Sequence, residues 1–347
     1  MARRIEVAGR DGLRLVVREF SERAERPGDA PRPAVLMLHG LMGRATHWSG
    51  AARRLEDRFR VLGLDQRGHG LSEKPAAGPY DRDVFVDDLE AVIHRLDLAP
   101  VILIGHAMGA LTAWQLAARR PDLVRALVIC DMRASALGER AQREWEEWYA
   151  SWPLPFGSPA AARRWFAEQD PRLERPSPTR GDYYAEMMVE RADGWRPVFS
   201  RRQMLMAREG WIHDAHWDEL GRVRCPTLVV RGVDGELGRA EAQEMVRVLA
   251  RGRYADIPDA GHLAHLERPD AWQEVVDGFL AEVLREEPRD PAAPGEEDGA
   301  ASAEGDSPDR PVREAGSAPE VPAPAGAHRS GRRAGTHGTR RGSGSGS

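Results

Sequence analysis

The sequence predicts an α/β fold: a mostly parallel eight-stranded sheet flanked by helices, with a helical segment inserted between two of its strands. Three observations carry this. Short apolar runs alternate with longer amphipathic patterns, the order that crossover helices impose on parallel strands. The alternation lapses between 133 and 220 and then resumes. From Glu287 to Ser347 the chain has no Phe, Trp, Tyr, Leu, Ile or Met. Such a segment buries too little apolar surface to offset the entropy of ordering it, so 287–347 is expected to be a disordered tail. The remaining 286 residues suit one large domain.

The elements follow in order. Arg4–Val7 and Arg14–Phe20, separated by Gly9–Gly12, read as an antiparallel hairpin. Ala34–Leu38 and Arg60–Leu64 are compact apolar runs, as strands buried on both faces require. Asp83–Leu96 is a helix whose apolar stripe is Phe85, Leu89, Val92 and Leu96, beside a mixed stripe that includes Asp88. Val101–Ile104, helix Ala110–Arg119 and Arg125–Ile129 complete the first core segment, 1–132. Residues 133–220 hold seven of the ten Trp and read as short helices. Trp145, Trp148, Tyr149 and Trp152 share one helical face there, which points to a lid with an aromatic lining over a pocket, although such a stripe also serves as plain packing. The second core segment, 221–286, contains Thr227–Val230, Arg239–Leu249, Tyr254–Ile257 and Asp270–Arg285.

Composition narrows the function. A net charge of −5 is far from the strong positive balance of a nucleic-acid binder, and Lys74 is the only Lys among 50 Lys and Arg residues. An Arg bias spread so evenly marks no phosphate site. Cys130 and Cys225 form no disulfide framework and fit a reducing, cytoplasmic setting. No apolar run reaches the roughly 18 residues of a membrane span. The His213/His216 and His262/His265 pairs make no metal site on their own, and no nucleotide cradle is present, so no cofactor is expected. The expected partner is a small molecule, with neither nucleic acid nor membrane; oligomeric state is left open.

Four short motifs carry the chemistry. Gly105-His106-Ala107-Met108-Gly109 follows a strand and opens a helix, like the elbow G-x-S-x-G with Ala in the central place. His39-Gly40-Leu41 ends an earlier strand. Asp65-Gln66-Arg67-Gly68-His69-Gly70-Leu71-Ser72 follows the next one, and Gly261-His262-Leu263-Ala264-His265-Leu266-Glu267 lies near the end of the core. Together, and in this order, they resemble the α/β-hydrolase superfamily, in its branch with an inserted lid, over about Ile5 to Arg285.

The resemblance implies a nucleophile, a His and an acid. His262 would be the general base. Ala107 holds the nucleophile position but, with only a methyl group, is inert. Leu41 and Met108 would supply the backbone donors of an oxyanion hole, and His39, Trp145, Trp148 and Trp152 would line the pocket. The acid is displaced: Gly235 stands where the pattern has Asp, flanked by Asp234 and Glu236, while Asp131 ends the preceding strand. Asp131 is the first choice, then Asp234, then Glu236. The implied function is action on a small, mostly apolar molecule, by His262-based proton transfer or water activation. The alternatives are a non-catalytic ligand binder, a Ser-to-Ala replacement in a working serine hydrolase, and descent from an Asp-nucleophile enzyme with Tyr183 and Tyr184 as donors.

Overall fold

The computed structural model describes residues 3–21 and 32–285; the expected tail from Glu287 lies outside them. Strand β1 (Arg3–Ala8) pairs antiparallel with β2 (Arg14–Glu19), as the glycine-rich turn between them predicts. Then come β3 (Ala34–Leu38), α1 (Ser49–Leu55), β4 (Arg60–Asp65), α2 (Arg82–Arg95), β5 (Val101–His106), α3 (Met108–Arg119) and β6 (Val124–Cys130). Helix α2 starts where the Asp81 carboxylate accepts from the Val84 N–H at 3.3 Å.

The 133–220 segment folds as α4 (Gly138–Ala150), α5 (Pro159–Arg164), a π-helical turn Trp165–Gln169, and α6 (Pro178–Ala185). A hairpin of β7 (Met188–Arg191) and β8 (Gly194–Pro197) follows, then α7 (Arg201–Ile212) and α8 (Trp217–Gly221). The chain returns through β9 (Thr227–Gly232), α9 (Arg239–Val248), β10 (Gly252–Ile257), α10 (Ala264–Glu267) and α11 (Pro269–Arg285).

The eight-stranded sheet has the order β1-β2-β4-β3-β5-β6-β9-β10, parallel from β4 to β10. Alternating side chains divide the core. Leu36 and Leu38 of β3 face a layer with α2 and α3, while Val35 and Met37 face Trp48, Phe59 and Trp272. A third apolar cluster, built on Trp145, Trp148, Tyr149 and Phe166, belongs to the 133–220 segment. Among the described residues no helix is long and apolar enough to cross a membrane.

The turn after β4 is architecture. Asp65 accepts from the N–H groups of Ala45 (2.6 Å) and Leu71 (2.8 Å), and Ser72 Oγ accepts from Val16 N–H at 2.8 Å. Arg67 forks onto Asp88 of α2 at 2.8 and 3.0 Å, both side chains 2% exposed. This explains the polar residue in the mixed stripe of α2. Replacing Asp88 by Ala strands a buried guanidinium, at a cost of about 3–5 kcal/mol. Calorimetry should show Tm falling by roughly 10 °C; an unchanged Tm would contradict the assignment.

Candidate active site

The elbow between β5 and α3 is held in shape by what its glycines lack. A Cβ on Gly109 would sit 2.5 Å from the Leu38 carbonyl oxygen, and one on Gly105 equally close to the Ala110 nitrogen. Between them Ala107 adopts φ 47, ψ −121, a conformation that costs a non-glycine residue on the order of 1–3 kcal/mol. Its N–H is tied to the Cys130 carbonyl at 2.9 Å and its own carbonyl accepts from Ala110 N–H at 2.9 Å. The residue that carries this strain has only a methyl side chain. Met108 is the first residue of α3, so the helix provides no internal acceptor for its N–H. Leu41 lies in the Gly40–Gly43 turn after β3, closed by Gly43 N–H to Gly40 carbonyl at 2.9 Å.

His262 sits in the loop after β10, and its Nδ1 donates to Asp131 Oδ2 at 2.7 Å. Asp131 follows β6 and is 2% exposed. Its carboxylate also accepts from the N–H groups of Glu236 (2.9 Å) and Leu237 (3.3 Å) in the loop after β9. A Cβ on Gly235 would lie 2.5 Å from Asp131 Oδ1. The displaced acid thus has a steric reason: with the carboxylate supplied from β6, the loop after β9 needs a glycine to wrap it. Asp234 also lines the cavity, but it is more than half exposed, paired with Arg175 at 3.2 Å, and makes no hydrogen bond to His262.

Burial works against a charged His262, but the negative charge of Glu236 and the hydrogen bond and charge of Asp131 outweigh it, holding the pKa up at about 9. Glu236 is itself lowered, first by the charge of His262 and then by Arg208, Arg172 and Arg180, against the opposing effect of burial. It is the second carboxylate of the site and makes no hydrogen bond to the ring. Neighbouring His106 donates through Nε2 to the His262 carbonyl at 2.9 Å, and burial pushes its pKa well down. Burial raises the Cys130 thiol to about 12, so it is no substitute nucleophile.

A cavity of about 1120 Å³ opens over this group. Ala107, His262, Asp131, Leu41, Met108 and Glu236 reach its wall. Trp145 and Trp148 of α4 line it too, but two expected pocket residues do not. Trp152 lies beyond the end of α4 and stacks on Tyr149 with ring centroids 4.4 Å apart, inside the aromatic cluster. His39 is 2% exposed and turned inward: Nδ1 donates to the Gly40 carbonyl at 2.7 Å and Nε2 accepts from Gln66 N–H at 3.0 Å. Both are structural because their polar or aromatic surface is already used. The wall also carries five arginines, Arg133, Arg172, Arg175, Arg180 and Arg208, which the sequence reading missed. That wall sits poorly with a mostly apolar ligand.

Residues 33–269 match the family model described as alpha/beta hydrolase fold. A 2-(acetamidomethylene)succinate hydrolase from Mesorhizobium japonicum is 29% identical over 253 residues, 72% of this chain and 88% of the relative. The sn-1-specific diacylglycerol lipase ABHD11 of Mus musculus is 27% identical, over 73% of this chain and 83% of its own. Among solved structures, an E-2-(acetamidomethylene)succinate hydrolase superposes with a TM-score of 0.69 at 26% identity, covering 81% of this chain and all of the other. The sheet order, the elbow and the family match agree: the chain belongs to the alpha/beta hydrolase fold family.

Proposed function

We propose that this protein is a hydrolase of small molecules that works without a covalent intermediate, using His262 to activate water. The observation that carries this is the His262–Asp131 hydrogen bond of 2.7 Å beside an elbow that has kept its strained backbone. Water takes the place a nucleophilic side chain would occupy. Its proton passes to His262 Nε2 as its oxygen bonds to the substrate carbonyl carbon. The N–H groups of Leu41 and Met108 receive the charge that develops on the carbonyl oxygen. The bond to the leaving group then breaks, and His262 returns the proton to that group. Asp131 fixes the tautomer with the proton on Nδ1 and stabilises the imidazolium. The 133–220 segment acts as the lid, with Trp145 and Trp148 on its inner side. Relatives named as hydrolases support the reaction class.

The base is active only when neutral. With a pKa of about 9, His262 is about 1% neutral at pH 7. Against activated p-nitrophenyl esters, kcat/KM should therefore rise about tenfold per pH unit and level off near pH 9. Glu236→Gln removes the charge that holds the imidazolium, and the break should move to lower pH. A rate that does not vary with pH between 7 and 9, once the uncatalysed reaction is subtracted, would contradict the mechanism.

A second reading, a non-catalytic binder, draws on one observation: Ala107 has no group that can attack. Its signature is a ligand that raises Tm while no product forms.

A further inference from the structure

The five arginines of the cavity wall share it with six carboxylates, Asp131, Glu174, Asp234, Glu236, Asp259 and Glu267, and three of the five are held in ion pairs. Arg133 pairs with Glu241 at 2.9 Å, Arg175 with Asp234 at 3.2 Å and Arg180 with Asp170 at 2.5 Å. His262 faces Asp131 and Glu236. The other two are Arg208 and Arg172. Arg208 is 8% exposed, donates among the described residues only to the neutral Gln142 side chain at 2.5 Å, and lies over the Trp145 ring with its guanidinium carbon 5.6 Å from the centroid. Arg172 lies 4.9 Å from the centre of the neighbouring Trp148 ring. Neither makes an ion pair among the described residues; Glu236 lies in the field of both and in that of His262. Burial outweighs the opposing charge of Glu236 and lowers Arg208 to about 10. A cation kept in that state, on the wall of a cavity and steadied by a ring face, is completed by an anion that enters from the cavity.

We infer that the substrate is a small carboxylate, anchored by Arg208 and Arg172 against Trp145 and Trp148 while its scissile bond lies at His262. The inference rests on the hydrolase reading for the scissile end only; the anchor is a binding claim and stands apart from turnover. A planar guanidinium fork matches a carboxylate, and with the Glu236 carboxylate in the same field a singly charged group is accommodated at lower electrostatic cost than a doubly charged phosphate.

Calorimetric titration of the full chain with malonate, succinate, glutarate and benzoate, each beside its neutral amide, tests it without any need for catalysis. At least one acid should bind tenfold or more tighter than its amide, with affinity falling as salt rises. Arg208→Gln should weaken that acid by tenfold or more, and Arg208→Lys should restore part of the loss. Arg172 is exposed, so Arg172→Gln provides an independent weakening should the buried change disturb folding. Equal affinity for acids and amides, no binding of any acid, or tighter binding of inorganic phosphate would each overturn the carboxylate assignment. Acid binding that survives in a protein with no hydrolytic activity would overturn the hydrolase reading alone.

Discussion

Below about pH 5.5 the protein should unfold in a steep, cooperative step. Five histidines near the site are buried: His39, His47, His69, His106 and His265, none more than 6% exposed. Burial brings His39 down to about 4 and His69 and His265 to about 3, and pushes His47 and His106 well below the ordinary value. Their rings have structural uses that a charge would spoil. His39 Nε2 accepts from a backbone N–H, His265 stacks on Trp48 at 4.4 Å, and His47 packs on Tyr183 at 4.0 Å. Each is neutral in the folded chain and takes up a proton on unfolding once the pH passes below 6.5. Because their folded pKa values are depressed, the stability they hold is complete above 6.5 and is lost as pH falls. Each loses about 1.4 kcal/mol per pH unit, so five lose roughly 7 kcal/mol by pH 5.5. That is comparable with the whole stability of an ordinary domain. His262 has the opposite sign: its raised pKa stabilises the fold fully below 6.5, and that contribution fades as pH climbs through about 9. Circular dichroism against pH should show a midpoint between about 5 and 5.5. His265→Phe, which keeps a ring between Trp48 and Trp272, should move it lower. A chain still folded at pH 4 would show that these rings are not held neutral.

The second large effect is a gain of activity. Ala107→Ser places a hydroxyl on a backbone already strained for it, next to a His that is already hydrogen-bonded to its acid. Nucleophilic attack then splits the reaction in two, and esterase activity should rise by about 10²–10⁴. An acyl-enzyme should appear by mass spectrometry as a burst product on Ser at this position. The optimum should lie above pH 8, because His262 must lose its proton before it can take one from the hydroxyl; adding Glu236→Gln should bring the optimum down. A variant with neither burst nor gain would mean that the Leu41 and Met108 donors no longer converge on a bound carbonyl.

Much of this architecture was legible because it depends on local pattern. Central strands such as Ala34–Leu38 announce themselves as continuous apolar runs, and the elbow by its paired glycines. Asp131 could be ranked first because the resemblance allows the acid at the end of the strand before, a place the apolar run locates, whereas Asp234 and Glu236 lie in a loop whose path is shaped by contact with Asp131 itself. The β7–β8 hairpin was missed, since its four-residue strands carry charges at Glu190, Arg191 and Arg196 and show no clean alternation. His39 and Trp152 misled for a related reason. Adjacency to a motif says nothing about which way a ring turns. The cavity arginines were hidden by abundance: where nearly every basic residue is Arg, only tertiary structure shows which two of the five on the wall make no ion pair among the described residues.

In the proposed mechanism His262 acts on water, with no nucleophilic side chain. The most direct measurement compares the native chain with His262→Ala on the same p-nitrophenyl esters at pH 9, with Tm recorded for both. The mechanism predicts a loss of about 10²–10⁴ in kcat/KM in a protein that remains folded. Rates within twofold of each other would contradict it.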